Sequence, residues 1–220
     1  MVWQKIICIV IGYIFGLFQT GFIIGKMHNI DIREFGSGNS GTTNAMRTLG
    51  KKYGFMTFFG DALKAVFAVG VTYLLFRNSC NDSLIAIALY TGLGTILGHN
   101  FPFYMNFKGG KGIAVMAALV VSNCFWHLPY SSILFFVTLA FFLVPVLVTR
   151  YVSLGSLLAY AVFFIQMVIF GQLGWFDMAK GAVYELYVIT FLLTALAWYR
   201  HRANIKRLLN GTENKFGSKK

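Results

Sequence analysis

The chain has 220 residues, 57% of them hydrophobic and only 12% charged, with a formal net charge of +12. Soluble domains average about 25% charged residues, so this composition excludes a water-facing surface of ordinary size. A basic balance often signals nucleic-acid binding, but here the cations border apolar runs, which points to anionic lipid headgroups and phosphorylated substrates.

A helix needs about 20 mostly apolar residues to cross the hydrocarbon layer. Seven such runs occur, at 6–25, 55–76, 84–101, 112–128, 131–149, 152–171 and 183–199. The first is not read as a cleavable signal peptide, because Lys5 gives only a weak basic start and the run exceeds the usual length of about 7–15 residues. The stretch from Ile113 to Val148 is too long for one span. Trp126-His127-Leu128-Pro129-Tyr130 is expected to turn it, since proline removes a helix donor and disfavours helix just before it; the alternative is one kinked helix plus a re-entrant piece. No linker, repeat or low-complexity segment interrupts the chain, so residues 1–220 read as one transmembrane domain. The expected fold is an all-α integral membrane protein with seven transmembrane helices.

With seven spans, the connections alternate between faces. Segments 26–54, 102–111, the turn at Arg150 and the tail from Arg200 fall on one face, and the whole net charge of +12 falls there too. The positive-inside rule makes that face cytoplasmic, with the N-terminus outside and the C-terminus inside. Cys8, Cys80 and Cys124 lack paired spacing and read as small apolar fillers. A disulfide between Cys80 and Cys124 stays open.

Three cytoplasmic segments carry the chemistry. The first is Gly36-Ser37-Gly38-Asn39-Ser40-Gly41-Thr42-Thr43-Asn44, with Arg47 following. Glycines free backbone N–H groups to converge on an anion, and arginine forks onto phosphate. Gly36, Gly38 and Gly41 satisfy G-x-G-x-x-G, but a dinucleotide site would need a preceding strand, and a membrane span precedes this one. The second segment runs Gly98-His99-Asn100-Phe101-Pro102-Phe103 and then Phe107-Lys108-Gly109-Gly110-Lys111-Gly112. It sets two lysines and three glycines before a span, where helix N-termini favour anions. His99, at a span end, reads equally as a structural hydrogen-bonder or a catalyst. The third is the basic helix from His201 through Asn204, Lys206 and Arg207 to Glu213. Its apolar stripe suits an interfacial helix, but that role does not need His201, Asn204 or Glu213. Within the second span, Asp61 and Lys64 lie three apart, and an ion pair fastening the inner loops is the favoured reading.

Together these motifs resemble the acyl-phosphate:glycerol-3-phosphate acyltransferases, the small PlsY-type membrane enzymes of bacterial phospholipid synthesis. The matching segments are Gly36–Arg47, Gly98–Gly112 and His201–Glu213, and the Asp61/Lys64 pair is similar too. The resemblance implies transfer of a fatty acyl group from acyl phosphate to the 1-hydroxyl of glycerol 3-phosphate, giving 1-acylglycerol 3-phosphate and phosphate. It also implies a multi-pass protein of the bacterial inner membrane with its site on the cytoplasmic face. The lipid bilayer and the two phosphorylated substrates are the expected partners, and no cofactor is expected.

On this reading Arg47, Lys111, His201 and Asn204 hold glycerol 3-phosphate. Lys108 and the glycine-rich loops of Gly36, Gly38, Gly41, Gly109 and Gly110 hold acyl phosphate. Asn39, Thr43, Asn44 and Glu213 belong to the substrate-binding set, and Ser37 orients substrate. The His-x-x-x-x-Asp signature of other acyltransferases is absent, because His28, His99, His127 and His201 are followed at that spacing by Arg33, Tyr104, Ser132 and Lys206. The expected route is direct attack of the glycerol hydroxyl, with a covalent acyl-Ser37 route as its rival. Acidic residues on the inner face are few and dispersed, so no metal site is expected. The alternative function is transport of a phosphorylated solute or lipid, but the outer face has no matching cluster.

Overall fold

The computed structural model describes residues 2–79, 84–124, 130–176 and 178–217, and every regular element among them is helical. The helices are α1 (Val2–Gly16), α2 (Thr20–Met27), α3 (Thr42–Leu49), α4 (Lys51–Phe76), α5 (Leu84–Asn100), α6 (Ile113–Cys124), α7 (Tyr130–Thr149), α8 (Val152–Gln172), α9 (Lys180–Arg200) and α10 (Arg202–Leu209). Single 3-10 turns form at Ile32–Glu34 and Phe103–Met105. The chain divides into two compact units, Met1–Ser122 and Asn123–Lys220.

In the first unit, α1 and α5 meet backbone to backbone. Gly12 and Gly16 on α1, and Gly94 and Gly98 on α5, each form a G-x-x-x-G pair. A Cβ on Gly12 would collide with the Thr91 carbonyl oxygen, and one on Gly94 with that of Ile9. Lipid tails are as apolar as leucine, so close backbone approach and interhelical hydrogen bonds hold such helices together. Thr91 Oγ1 donates to Thr72 Oγ1 at 2.9 Å and ties α5 to α4.

The first apolar run is not one helix as expected. It breaks at residues 17–19 between α1 and α2. A break releases carbonyls from the i to i+4 ladder, and non-helical backbone at membrane depth survives only where protein satisfies it. Here Lys64 Nζ of α4 donates to the oxygens of Gly16 and Phe18. Gln19 Nε2 donates to the oxygens of Gly16 at 3.2 Å and His99 at 3.0 Å.

In the second unit, Gln166 Nε2 of α8 donates to Thr138 Oγ1 of α7 at 2.9 Å. Thr194 Oγ1 of α9 donates to Tyr160 O of α8 at 3.1 Å. Tyr160, Phe163, Leu186 and Leu193 are buried between these helices. Past α10 the tail returns: Phe216 N–H donates to Arg150 O at 2.7 Å, and Arg150 Nε to Phe216 O at 3.1 Å.

Among the described residues, six helices are long and apolar enough to cross a membrane: Val2–Met27 (with its break), Lys51–Phe76, Leu84–Met105, Tyr130–Thr149, Val152–Gln172 and Lys180–Arg200. Within the run expected at 112–128, the described residues form a helix over Ile113–Cys124, and residues 125–128 lie outside the described set. The expected turn before Tyr130 lies outside the described residues. Cys8 is fully buried, as a filler should be, while Cys80 and the side chain of Cys124 lie outside the described set.

Candidate active site

The first motif is a loop built around one buried amide. Gly36 and Gly38 take left-handed φ values of +60° and +70°, a region that glycine enters freely, and Ser37 stands exposed between them. Asn44, on α3 and 1% exposed, holds the loop from inside. Its Oδ1 accepts from Ser37 N–H at 2.8 Å and Ser37 Oγ–H at 3.2 Å. Its Nδ2 donates to Ile32 O at 2.9 Å and Phe35 O at 3.0 Å. Asn39 Oδ1 accepts from Gly41 N–H at 2.9 Å and fixes the entry to α3. Thr43 lies in the first turn of that helix. Arg47, half-buried, lies along Gly36. It enters none of the ion pairs among the described residues.

Before this loop, Asp31 caps the turn Ile32–Glu34 by accepting from Arg33 N–H at 3.0 Å. Arg33 Nη2 also meets Asp31 Oδ2 at 2.6 Å. The hydrogen-bonded guanidinium holds the Asp31 carboxyl down at about 2, and Asp31 in turn raises the Arg33 pKa. Charge-assisted pairs of this kind are the stronger hydrogen bonds.

The second motif begins where α5 ends. Tyr104 Oη donates to Leu17 O at 2.6 Å, and Tyr13 Oη to Phe101 O at 2.9 Å. Asn106 and Phe107 both have positive φ, 53° and 58°, which turns the chain sharply into Lys108. The next two residues lie flat against the end of α5: Gly109 N–H donates to Asn100 O at 3.2 Å and Gly110 N–H to His99 O at 3.0 Å. A Cβ on Gly109 would strike His99 O and Pro102, and one on Gly110 would strike the His99 ring. Both positions therefore need glycine for space. Lys108 is exposed and Lys111 half-buried.

The structure brings these two motifs together within the first unit. Asn39 Nδ2 donates to Gly109 O at 3.3 Å, and Arg33 Nη1 to Met105 O at 3.0 Å. Ser40 Oγ donates to Gln19 Oε1 at 3.1 Å. Ser37, Lys108 and Lys111 thus sit on loops fastened to one another, with Arg47 on the helix that follows the first. Gln19, Arg33, Tyr13 and Tyr104 were missed as supports. The one available signal was a glutamine inside an apolar run.

The third motif is ordered within the second unit. His201 joins α9 to α10, is 3% exposed, and its Nδ1 lies 2.8 Å from Ala197 O. A carbonyl only accepts, so Nδ1 carries a proton and Nε2 is the ring's other face. Asn204 Nδ2 donates to Glu213 Oε1 at 2.9 Å, and Arg207 Nε to Glu213 Oε2 at 2.8 Å. Both Glu213 oxygens are thus engaged in bracing the basic helix.

The sequence pattern of a glycerol-3-phosphate acyltransferase family matches residues 6–211. A glycerol-3-phosphate acyltransferase of Clostridioides difficile is 39% identical over 221 residues, covering 100% of this chain and 98% of that protein. One of Bacillus subtilis is 38% identical over 210 residues, covering 94% and 95%. Two crystal structures of PlsY, an integral membrane glycerol 3-phosphate acyltransferase, are also similar at 33% identity. Its glycerol 3-phosphate form matches with a TM-score of 0.75, over 97% of this chain and 96% of that one. Its lysophosphatidic acid form matches with a TM-score of 0.72, over 97% and 95%.

Proposed function

The chain belongs to the glycerol-3-phosphate acyltransferase family, and from that premise we propose that it moves a fatty acyl group from acyl phosphate to the 1-hydroxyl of glycerol 3-phosphate. The products are 1-acylglycerol 3-phosphate and inorganic phosphate. The observation that carries this reading is the fastening of the Ser37 loop to the Gly109–Gly110 loop, with the Arg47 cation beside the first. Both substrates bear phosphate, and this surface offers glycine-freed amides, hydroxyls and cations together.

On the sequence motifs we assign Arg47, Lys111, His201 and Asn204 to glycerol 3-phosphate. Lys108 and the backbone around Gly36, Gly38, Gly41, Gly109 and Gly110 hold acyl phosphate and the departing phosphate. Charge placed before reaction stabilises the transition state without reorganisation, and orientation lowers the barrier further. The Ser37 hydroxyl meets an amide oxygen, Asn44 Oδ1, which does not take up its proton. Its lone pairs are left to receive the glycerol hydroxyl, so Ser37 orients the acceptor and is not acylated. A substrate phosphate oxygen takes the proton. Asn39 and Asn44 shape the first loop, Glu213 sets Asn204, and Thr43 offers its hydroxyl at the start of α3.

The site faces the cytoplasm of a bacterial inner membrane, with the N-terminus outside, because the net positive charge gathers on that side. Two meetings support the alternation of faces: 26–54 with 102–111 in the first unit, and Arg150 with the tail in the second. The donor test supplies acyl phosphate or acyl-CoA with glycerol 3-phosphate to the purified protein in lipid. Product from acyl phosphate alone among the two supports the reading, and product only from acyl-CoA overturns it. A stable ester on Ser37 after mixing with acyl phosphate alone would restore the covalent route.

A further inference from the structure

Lys64 is more heavily engaged than an ion pair requires. It lies in a spanning helix, 4% exposed, with Asp61 Oδ1 at 3.0 Å as its counter-charge. It also caps the two carbonyls released by the break after α1. Beyond these, its Nζ lies 2.8 Å from His99 Nδ1.

An ammonium has donors and no acceptor. His99 Nδ1 must therefore accept, and the ring's own proton sits on Nε2. A doubly protonated ring would set two cations 2.8 Å apart inside the bundle, an arrangement that repulsion at low dielectric forbids. The Asp61 carboxylate, the counter-charge of Lys64, stands 3.9 Å from the same ring nitrogen.

The opposite edge of the ring faces the second motif. A Cβ on Gly110 would collide with Nε2, Cε1 and Cδ2 of His99. The same residue's carbonyl accepts the Gly110 N–H at 3.0 Å and Gln19 Nε2 at 3.0 Å. His99 thus abuts Gly110 with its ring and binds it with its backbone, and a rotated ring would displace the peptide that leads to Lys111.

We propose that Lys64, acting through the Nε2-protonated ring of His99, is a positioning residue for the Gly109–Lys111 phosphate loop. The role of that loop rests on the acyl-transfer reading above. The structural chain is continuous: the α1 break holds Lys64, Lys64 holds the His99 ring, and the ring sets Gly110.

The first test is the nitrogen-15 spectrum of histidine-labelled protein in lipid, with the His99 signals assigned by their loss in His99→Gln. A bare Nδ1 and a protonated Nε2 across neutral pH are expected. A proton on Nδ1 overturns the proposal, and this measurement needs neither activity nor a folded charge variant. The second test is kinetic, on Asp61→Asn/Lys64→Met, which removes both charges together so that neither is left buried alone. The variant also loses the caps on Gly16 O and Phe18 O, so its melting temperature is recorded first, and in the folded protein KM for a phosphorylated substrate should rise by about tenfold or more. Adding His99→Gln to that variant should cost little more, because residues that act through one another are non-additive. Multiplicative losses, or unchanged KM and kcat in a folded Asp61→Asn/Lys64→Met variant, would overturn the proposal. An inactive wild-type protein with the expected ring proton would instead refute the acyl-transfer reading and leave the Lys64–His99 contact standing.

Discussion

Replacing Asn44 with alanine should open the Ser37 loop without touching any cation of the site. The side chain makes four hydrogen bonds from a position 1% exposed. Alanine removes all four bonds and leaves the Ser37 N–H without its Asn44 acceptor, while the carbonyls of Ile32 and Phe35 keep their bonds from Phe35 N–H and Gly38 N–H. At about 1 kcal/mol for each of the four bonds, the loop loses about 4 kcal/mol against local opening. Each 1.4 kcal/mol is tenfold, so the opening equilibrium shifts on the order of 10²–10³. Amide hydrogen exchange across 35–44, followed by mass spectrometry in lipid, should show that loss of protection while α5 stays protected. Ser37 would then drift by roughly 1 Å, and kcat should fall by about 10². Asn44→Asp keeps the acceptor for Ser37 but sets a carboxylate against the carbonyls of Ile32 and Phe35, so it should also fail. Exchange and kcat within about threefold of the parent in Asn44→Ala would refute the claim that this amide builds the loop.

Helix contacts, acid behaviour and the third motif give further expectations. Gly94→Leu should abolish the α1–α5 contact and folding, seen as lost monodisperse protein, whereas Gly70→Ala and Gly181→Ala meet open space and should shift stability by no more than about 1 kcal/mol. The Asp31 carboxyl, depressed from 3.8 to about 2, stabilises the Ile32–Glu34 turn fully above its free pKa. That stabilisation is lost as pH falls through about 2, because the unfolded form then binds the extra proton first. Acid proteolysis near the turn should rise across this window in the parent and show no such step in Asp31→Asn. Glu213→Ala releases Asn204 and Arg207 and should lower kcat/KM by about tenfold to a hundredfold, measured as product formation.

Most of the membrane architecture was legible because apolar length is a direct signal. Six expected runs recur as helices long enough to span, and the charge pattern paired loops that do meet within each unit. The break after Gly16 was not legible, because Leu17 and Phe18 are as apolar as their neighbours. Only the buried Lys64 reveals why their backbone departs from helix. Of the run expected at 112–128, the described part is helical throughout Ile113–Cys124, and residues 125–128 lie outside the described set.

The motifs themselves were visible as clusters of glycine, hydroxyl and cation, but the division of labour inside them was not. Nothing in the spacing tells that Asn44 turns inward to hold Ser37 while Arg47 enters no ion pair among the described residues. Likewise Gly110 looks like any loop glycine until the His99 ring is seen against it. Glu213 was expected to meet substrate, and its two oxygens instead brace Asn204 and Arg207.

Phosphate release by purified protein in lipid, given palmitoyl phosphate with and without glycerol 3-phosphate, tests the proposed reaction most directly. Release that requires both substrates, yields 1-acylglycerol 3-phosphate, and collapses in Arg47→Ala and His201→Ala is the predicted result. No release from a well-folded parent, with acyl-CoA also failing as donor, would contradict it.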